Sequence, residues 1–188
     1  LAAAQAVADE VKVAGGTAQA VAVDVTRLAE VKALVAKAIE AHGAVDVMIN
    51  NAGIMPLAFI ADHEAAYAAW ERCIDINIKG VLNGMVAAHD PMIAAGRGHV
   101  INLSSIYGNF PVTGAAVYGA SKAAVNFLSE SLRVEARGKI KVTTIKPTGV
   151  PATGLSGTIV NQAASVGILG QNTGLFMEMV GQMAEGTF

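Results

Sequence analysis

Short apolar runs of strand length alternate with longer segments of helical period along this chain, and no hairpin dipeptide such as Asn-Gly joins adjacent strand candidates. Strands that cannot return through a tight turn must be joined by crossovers, so the pattern predicts parallel strands connected by right-handed helical crossovers. The expected fold class is α/β, a doubly wound parallel sheet in a single domain spanning 1–188. Leu1 to Val13 reads as a helix stopped by Gly15-Gly16. "AQAVAVDV" (18–25) reads as a buried strand ending at Asp24, after which Thr26 is expected to cap a helix running to about Ala41. "VDVMIN" (45–50) is the next strand, followed by a helix over 64–95 that Pro91 is expected to bend or break late. "HVINLS" (99–104) and "KVTTIK" (141–146) are further strands on either side of a strong helix at 116–137. From 147 onward a Gly-rich loop leads to an expected helix near 172–185.

Ligands of such sheets sit beyond the carboxyl ends of the strands. That rule singles out Asp24-Val25, Asn50-Asn51-Ala52-Gly53, Ser104-Ser105 and Pro147-Thr148-Gly149. Composition excludes several alternatives. A net charge of -2 offers no basic field for nucleic acid or an anionic membrane. The lone cysteine, Cys73, rules out an internal disulfide and a four-cysteine zinc site, which suits a reducing cytoplasm. Two long uncharged stretches, 98–121 and 147–177, are broken by Gly, Pro, Asn and Ser, so no transmembrane span is expected. His42, His63, His89 and His99 show no metal-ligand spacing and no carboxylate cluster beside them, so no metal site is expected.

The stretch "INLSSIYGNFPVTGAAVYGASK" (101–122) holds two adjacent serines and two tyrosines, and its only fixed charge is Lys122 at its end. Tyr118 and Lys122 are four apart on the expected helix and share a face. A phenol with pKa near 10 is a poor base at neutral pH; lowering it by about 3 units takes roughly 4 kcal/mol. An ammonium about 4 Å away at an effective dielectric of about 20 supplies about that much. A second positive charge, such as an oxidised nicotinamide carries, would help. The same helix is apolar on two sides. Val117, Val125, Leu128 and Leu132 form the sheet-facing stripe, and Ala116, Ala120, Ala123 and Phe127 form a second that is expected to meet another subunit.

These pieces together resemble the short-chain dehydrogenase/reductase family, which uses nicotinamide cofactors on a Rossmann-like fold. The matching segments are "DVT" (24–26), "NNAG" (50–53), "DINIKG" (75–80), "INLSSIYG" (101–108), "YGASK" (118–122) and "IKPTGV" (145–150). They stand in the family's order and cover nearly the whole chain. The resemblance implies Ser105, three residues before Gly108, as the substrate-binding serine and Tyr118 as the proton donor and acceptor, leaving Ser104 and Tyr107 lining or packing roles. It implies that Lys122 lowers the Tyr118 pKa and binds ribose, and that Asn77 completes a proton relay through a water. It further implies cofactor contacts from Asp24, Val25, Asn51, Ala52, Gly53, Pro147 and Val150, besides Tyr118 and Lys122.

The implied activity is hydride transfer between NAD or NADP and a secondary alcohol or ketone. A non-catalytic nucleotide-binding scaffold or regulatory protein on the same fold is the alternative. The implied assembly is a homo-oligomer, dimer or tetramer, through the 116–137 helix. Three features depart from the family pattern. Its glycine-rich turn and first strand-helix-strand unit lie outside these residues, and so does its last strand. In "PTGVPAT" (147–153), Thr148 takes the usual Gly place, and whether it or Thr153 assists stays open. The substrate-side segment 153–188 carries Met177, Met179 and Met183 on one helical face, suited equally to a core or to a mobile lid. Phe110, Leu155, Ile159 and Phe176 are the expected apolar walls of a pocket for a hydrophobic alcohol.

Overall fold

The computed structural model describes residues 1–149 and 154–169. Three parallel strands, β1 (Val47–Asn50), β2 (His99–Leu103) and β3 (Lys141–Ile145), form one sheet in the order β1-β2-β3. The register sets Asn50 beside Asn102 and Leu103 beside Ile145, so the carboxyl ends finish together on one edge. Helix α1 (Ala2–Val13) precedes α2 (Leu28–His42), and α3 (His63–Ile74) runs through a π-helical turn at Asp75–Lys79 into α4 (Gly80–Ala95). Helix α5 (Ala116–Glu135) connects β2 to β3, and a short helix α6 (Gln162–Leu169) follows a 3₁₀ turn at Gly154–Thr158.

The core lies between one sheet face and helices α4 and α5. Val81, Met85, Ala88 and Met92 from α4 meet Val100 and Val142 from the strands and Val125 and Leu132 from α5. Alternation along the strands aims Val100 and Asn102 into this layer, while Val47 and Ile49 point to the other, half-open face. Helix α2 packs Val31 and Val35 on Ala87 of α4.

Three expectations change. The 18–25 run is not a strand: residues 16–24 have no regular secondary structure. A strand exists only through a neighbour's backbone groups, and β1 is bonded to β2 alone among the described residues. The run's apolar character is used differently, since Val23 packs against the Val31–Val35 cluster. Thr26 does not cap α2, whose N-cap is Arg27; its amide and hydroxyl instead donate to Asp24 Oδ1 at 2.9 and 2.8 Å. Pro91 does not break α4, which continues to Ala95 and ends at Gly96 with φ +67°. So close to the helix end, the missing N–H removes one bond from a helix already held by Met85, Ala88 and Met92 in the core. The expected 172–185 helix, with Phe176 and the three methionines, lies outside the described residues.

Candidate active site

Beyond the end of β2, Ser104 and Ser105 point to different partners. Ser104 Oγ donates to the Lys122 carbonyl at 3.0 Å and ties β2 to α5. Ser105 is extended (φ -163°, ψ 159°) and caps the 3₁₀ turn Ile106–Gly108, its Oγ accepting from the Tyr107 amide at 3.2 Å. With that lone pair engaged, its own O–H is left to donate outward. The end of β3 is tied to the same loop, because Ser104 N donates to the Ile145 carbonyl at 2.8 Å and Ile106 N to the Pro147 carbonyl at 3.1 Å. Pro147 therefore stands against the Ser105 loop.

Helix α5 carries Tyr118, Ser121 and Lys122 on its buried side. The Ser105 hydroxyl lies close enough to the Tyr118 phenol to favour its ionised form. Lys122 Nζ is 5.8 Å from the centre of the Tyr118 ring and donates to the Leu103 carbonyl at 2.8 Å. The expected lowering of the Tyr118 pKa by Lys122 is not what the protein alone produces. Burial pushes the phenol up from its ordinary value, outweighing the Ser105 hydrogen bond. Burial likewise pushes the Lys122 ammonium down. Desolvation penalises the charged form of both groups, and the ammonium spends its hydrogen bond on a backbone carbonyl.

Asn77 enters from the π-helical turn, fully buried. A π-turn in an α-helix shifts the backbone bonding pattern and recurs at functional sites. The Asn77 side chain is committed to protein partners: Nδ2 donates to the Ile54 carbonyl at 2.9 Å and Oδ1 accepts from the Ile54 amide at 2.9 Å. This double bond clamps the loop after β1. In that loop a Cβ on Gly53 would stand 3.3 Å from Asn77 Oδ1 and 3.5 Å from Lys122 Nζ. Gly53 thus fills the space between the two side chains with backbone alone, and the structure brings Asn77, Ser105, Tyr118 and Lys122 to one place.

An open cleft of about 920 Å³ leads away from this place, lined by Asp24, Val25, Ala52 and Gly53 with Glu71, Arg72 and Ile76 opposite. The two bonds from Thr26 hold the exposed Asp24 carboxyl below its ordinary pKa. Asn83 Nδ2 donates to the Val25 carbonyl at 2.8 Å and fixes that residue beside the cleft. Asn51 is exposed and lines a smaller neighbouring cavity of about 150 Å³ with Val25 and Gly84. Val150 lies outside the described residues. Tyr107 packs in an apolar cluster with Leu57 and Tyr118, its ring edge-on to Phe110 with centroids 6.3 Å apart. Ile159, which follows the 3₁₀ turn at Gly154–Thr158, joins the same cluster. Among the described residues, no three His, Cys, Asp or Glu side chains group as metal ligands, and no helix is long and apolar enough to cross a membrane.

Two participants escaped the sequence reading. Ser121 and Cys73 are both buried against the Asn77 amide, Ser121 Oγ at 3.0 Å and Cys73 Sγ at 3.2 Å. Helical spacing places Cys73 one turn before Asn77, which was a readable signal. The contact across to Ser121 was not, because it joins residues far apart in the chain.

A parallel sheet with a strand-end cleft, and a Ser, Tyr and Lys converging beside it, defines a Rossmann-like α/β protein. The sequence profile described as short chain dehydrogenase matches residues 1–164, and the chain belongs to that family. An uncharacterized oxidoreductase of Listeria innocua is 43% identical over 146 residues, which are 74% of this chain and 57% of the relative. Another, from Staphylococcus saprophyticus, is 41% identical over 68% of this chain and 52% of its own length. The chain spans little more than half the length of these curated relatives. Among solved structures, a metagenomic short-chain oxidoreductase in complex with NADP is 36% identical with a TM-score of 0.69, covering 78% of this chain and 65% of that one. A short chain dehydrogenase/reductase from Burkholderia phymatum in complex with NAD is 25% identical with a TM-score of 0.79, covering 100% and 75%.

Proposed function

We propose that this chain forms the catalytic part of an NAD(P)-dependent oxidoreductase that interconverts a secondary alcohol and its ketone, with Tyr118 as general acid and base. The observation that carries this reading is the convergence of the Ser105 and Tyr118 hydroxyls with the Lys122 ammonium at the carboxyl end of β2. The residues present fit a nicotinamide dinucleotide. The open cleft of about 920 Å³ that both Asp24 and Gly53 line has room for a dinucleotide, and the bare backbone of Gly53 stands between it and Lys122. Asp24, Val25, Asn51, Ala52 and Gly53 would hold the adenosine side, and Lys122, Tyr118, Pro147 and Val150 the nicotinamide side. The bound cofactor supplies hydride exchange and, when oxidised, a positive charge.

The rest is the work of this chain. Ser105 donates its O–H to the substrate oxygen, and Tyr118 Oη gives that oxygen a proton on reduction or takes one on oxidation. A phenol is ordinarily protonated at neutral pH, and burial pushes Tyr118 further in that direction, so the protein alone holds it in the acid form that ketone reduction needs. Lys122 faces the phenolate left behind, and Asn77 holds the loop that lets Gly53 approach it. The substrate side is apolar, with Leu57, Met55, Val112 and Ile159 around Tyr118 and Tyr107, which favours a hydrophobic alcohol or ketone. The 153–188 segment is assigned to that side.

We further propose a homo-oligomer, dimer or tetramer, in the cytoplasm. The stripe Ala116, Ala120, Ala123 and Phe127 is exposed on α5, Phe127 at 77%. The decisive experiment is NADH and NADPH oxidation by the full-length protein with a panel of ketones, beside Tyr118→Phe. Turnover in the wild type and a loss of about 10²-fold or more in a folded variant is the expected result. No turnover with any substrate, or equal turnover in both proteins, would leave the non-catalytic scaffold as the better reading.

A further inference from the structure

Helix α5 contains two buried serines, eight residues apart, that make the same pair of bonds. Ser129 Oγ donates to the Val125 carbonyl at 2.7 Å and accepts from Asn102 Nδ2 at 2.9 Å. Ser121 Oγ donates to the Tyr118 carbonyl at 2.7 Å and accepts from Asn77 Nδ2 at 3.0 Å. Both are almost wholly buried, at 0% and 1% exposure, and both join α5 to an asparagine on another element. What they join differs. Ser129 reaches an asparagine of the sheet core, whereas Ser121 reaches the asparagine that clamps Ile54.

We infer that Ser121 is a positioning residue, linking the Tyr118–Lys122 turn of α5 through Asn77 to the loop that carries Ala52 and Gly53. Asn77 Nδ2 has two hydrogens, and both are used, one on Ile54 and one on Ser121. With the Ser121 hydroxyl removed, the nearest remaining acceptor is Cys73 Sγ at 3.2 Å, a weak one. Cys73 cannot take over the link, because its sulfur is bonded to the Ile54 carbonyl and Ser121 at 3.9 and 3.8 Å and makes no bond to α5 other than Ser121. A released Asn77 would turn toward the sulfur and loosen its double bond to Ile54. Gly53 would then lose its fixed place beside Lys122 Nζ, where the cofactor loop and the catalytic helix meet. Substrate contacts lie outside this loop, so the change acts on the alignment of the cofactor loop with the catalytic helix and leaves ketone binding alone.

This inference rests on the oxidoreductase reading, and its test is built to fail separately. Ser121→Ala and Ser129→Ala remove the same two bonds from the same helix. In the full-length protein both are expected to melt earlier than the wild type. Only S121A should lower kcat, by about tenfold, the equivalent of about 1.4 kcal/mol, with KM for ketone changed less than twofold. Hydrogen exchange gives a readout independent of turnover, since the Ile54 amide bonds to Asn77 Oδ1. That amide should exchange faster in S121A and at the wild-type rate in S129A. Equal effects of the two variants on kcat and on Ile54 exchange would overturn the inference. A wild type without turnover would sink the oxidoreductase reading, while faster Ile54 exchange confined to S121A would still support the link. If S121A does not fold, Ser121→Cys keeps a weak acceptor in place and should show the same pattern in smaller measure.

Discussion

Gly108→Ala offers the sharpest test of how the site is held. Gly108 closes the 3₁₀ turn that Ser105 caps, and it lies directly against α5. A Cβ there would stand 2.7 Å from the Lys122 carbonyl carbon, 2.9 Å from the Ala123 amide nitrogen and 2.9 Å from Asn126 Nδ2. Two of these three atoms are helix backbone, which cannot rotate aside. Ordinary contact begins near 3.4 Å, so turn and helix must separate by roughly half an ångström or more. That separation strains the Ser104 bond to the Lys122 carbonyl and the Asn126 bond to the Gly108 carbonyl. Overpacking of this kind costs about 1–3 kcal/mol, or a fall of roughly 2–12 °C in melting temperature for a chain of this size. Activity should suffer more than stability. Ser105 and Tyr118 sit on opposite sides of the contact, and a misplacement of about 1 Å can cost on the order of 10²-fold in rate. Thermal melting and NAD(P)H-linked turnover of the purified variant measure the two effects. A G108A protein with wild-type melting temperature and kcat would refute the packing argument.

Two further outcomes follow from the same geometry. Lys122 has its folded-state pKa pushed below the ordinary 10.5 by burial, so as pH rises the folded protein gives up this proton before the unfolded chain does. Stability from this group therefore increases with pH up to about 10.5, and the wild type should gain on Lys122→Met across that window in denaturant melts; a pH-independent gap would contradict the burial argument. Phe127→Glu places a charge in the exposed α5 stripe, and light scattering should report a smaller assembly than the wild type with the melting curve of the subunit retained; an unchanged assembly would remove that stripe from the interface.

Ser105, Tyr118, Lys122 and Asn77 are named by the family resemblance, and what local spacing alone makes legible among them is the Tyr118–Lys122 pair, four apart on one helix. The same holds for β1, β2, β3 and α5, whose patterns of apolar residues match the periods of the elements they form. The 18–25 run failed for a reason local pattern cannot contain. An apolar stretch becomes a strand only where another backbone lies alongside, and among the described residues none pairs with this run, of which Val23 packs partly buried against the Val31–Val35 cluster. Thr26 failed because its amide and hydroxyl both donate to the Asp24 carboxylate, and the cap position of α2 falls one residue later, at Arg27.

Residue identity by itself determined which groups of chemistry this protein owns and on which elements they ride. Only the tertiary structure decided their state. Spacing on a helix predicted that Lys122 would lower the Tyr118 pKa, yet burial moves both groups toward neutrality, because desolvation depends on everything packed around a charge and not on one neighbour. The Asn77 amide is shared between Ile54 and a serine 44 residues further along the chain, a bond that exists only because the fold brings the π-helical turn and α5 side by side.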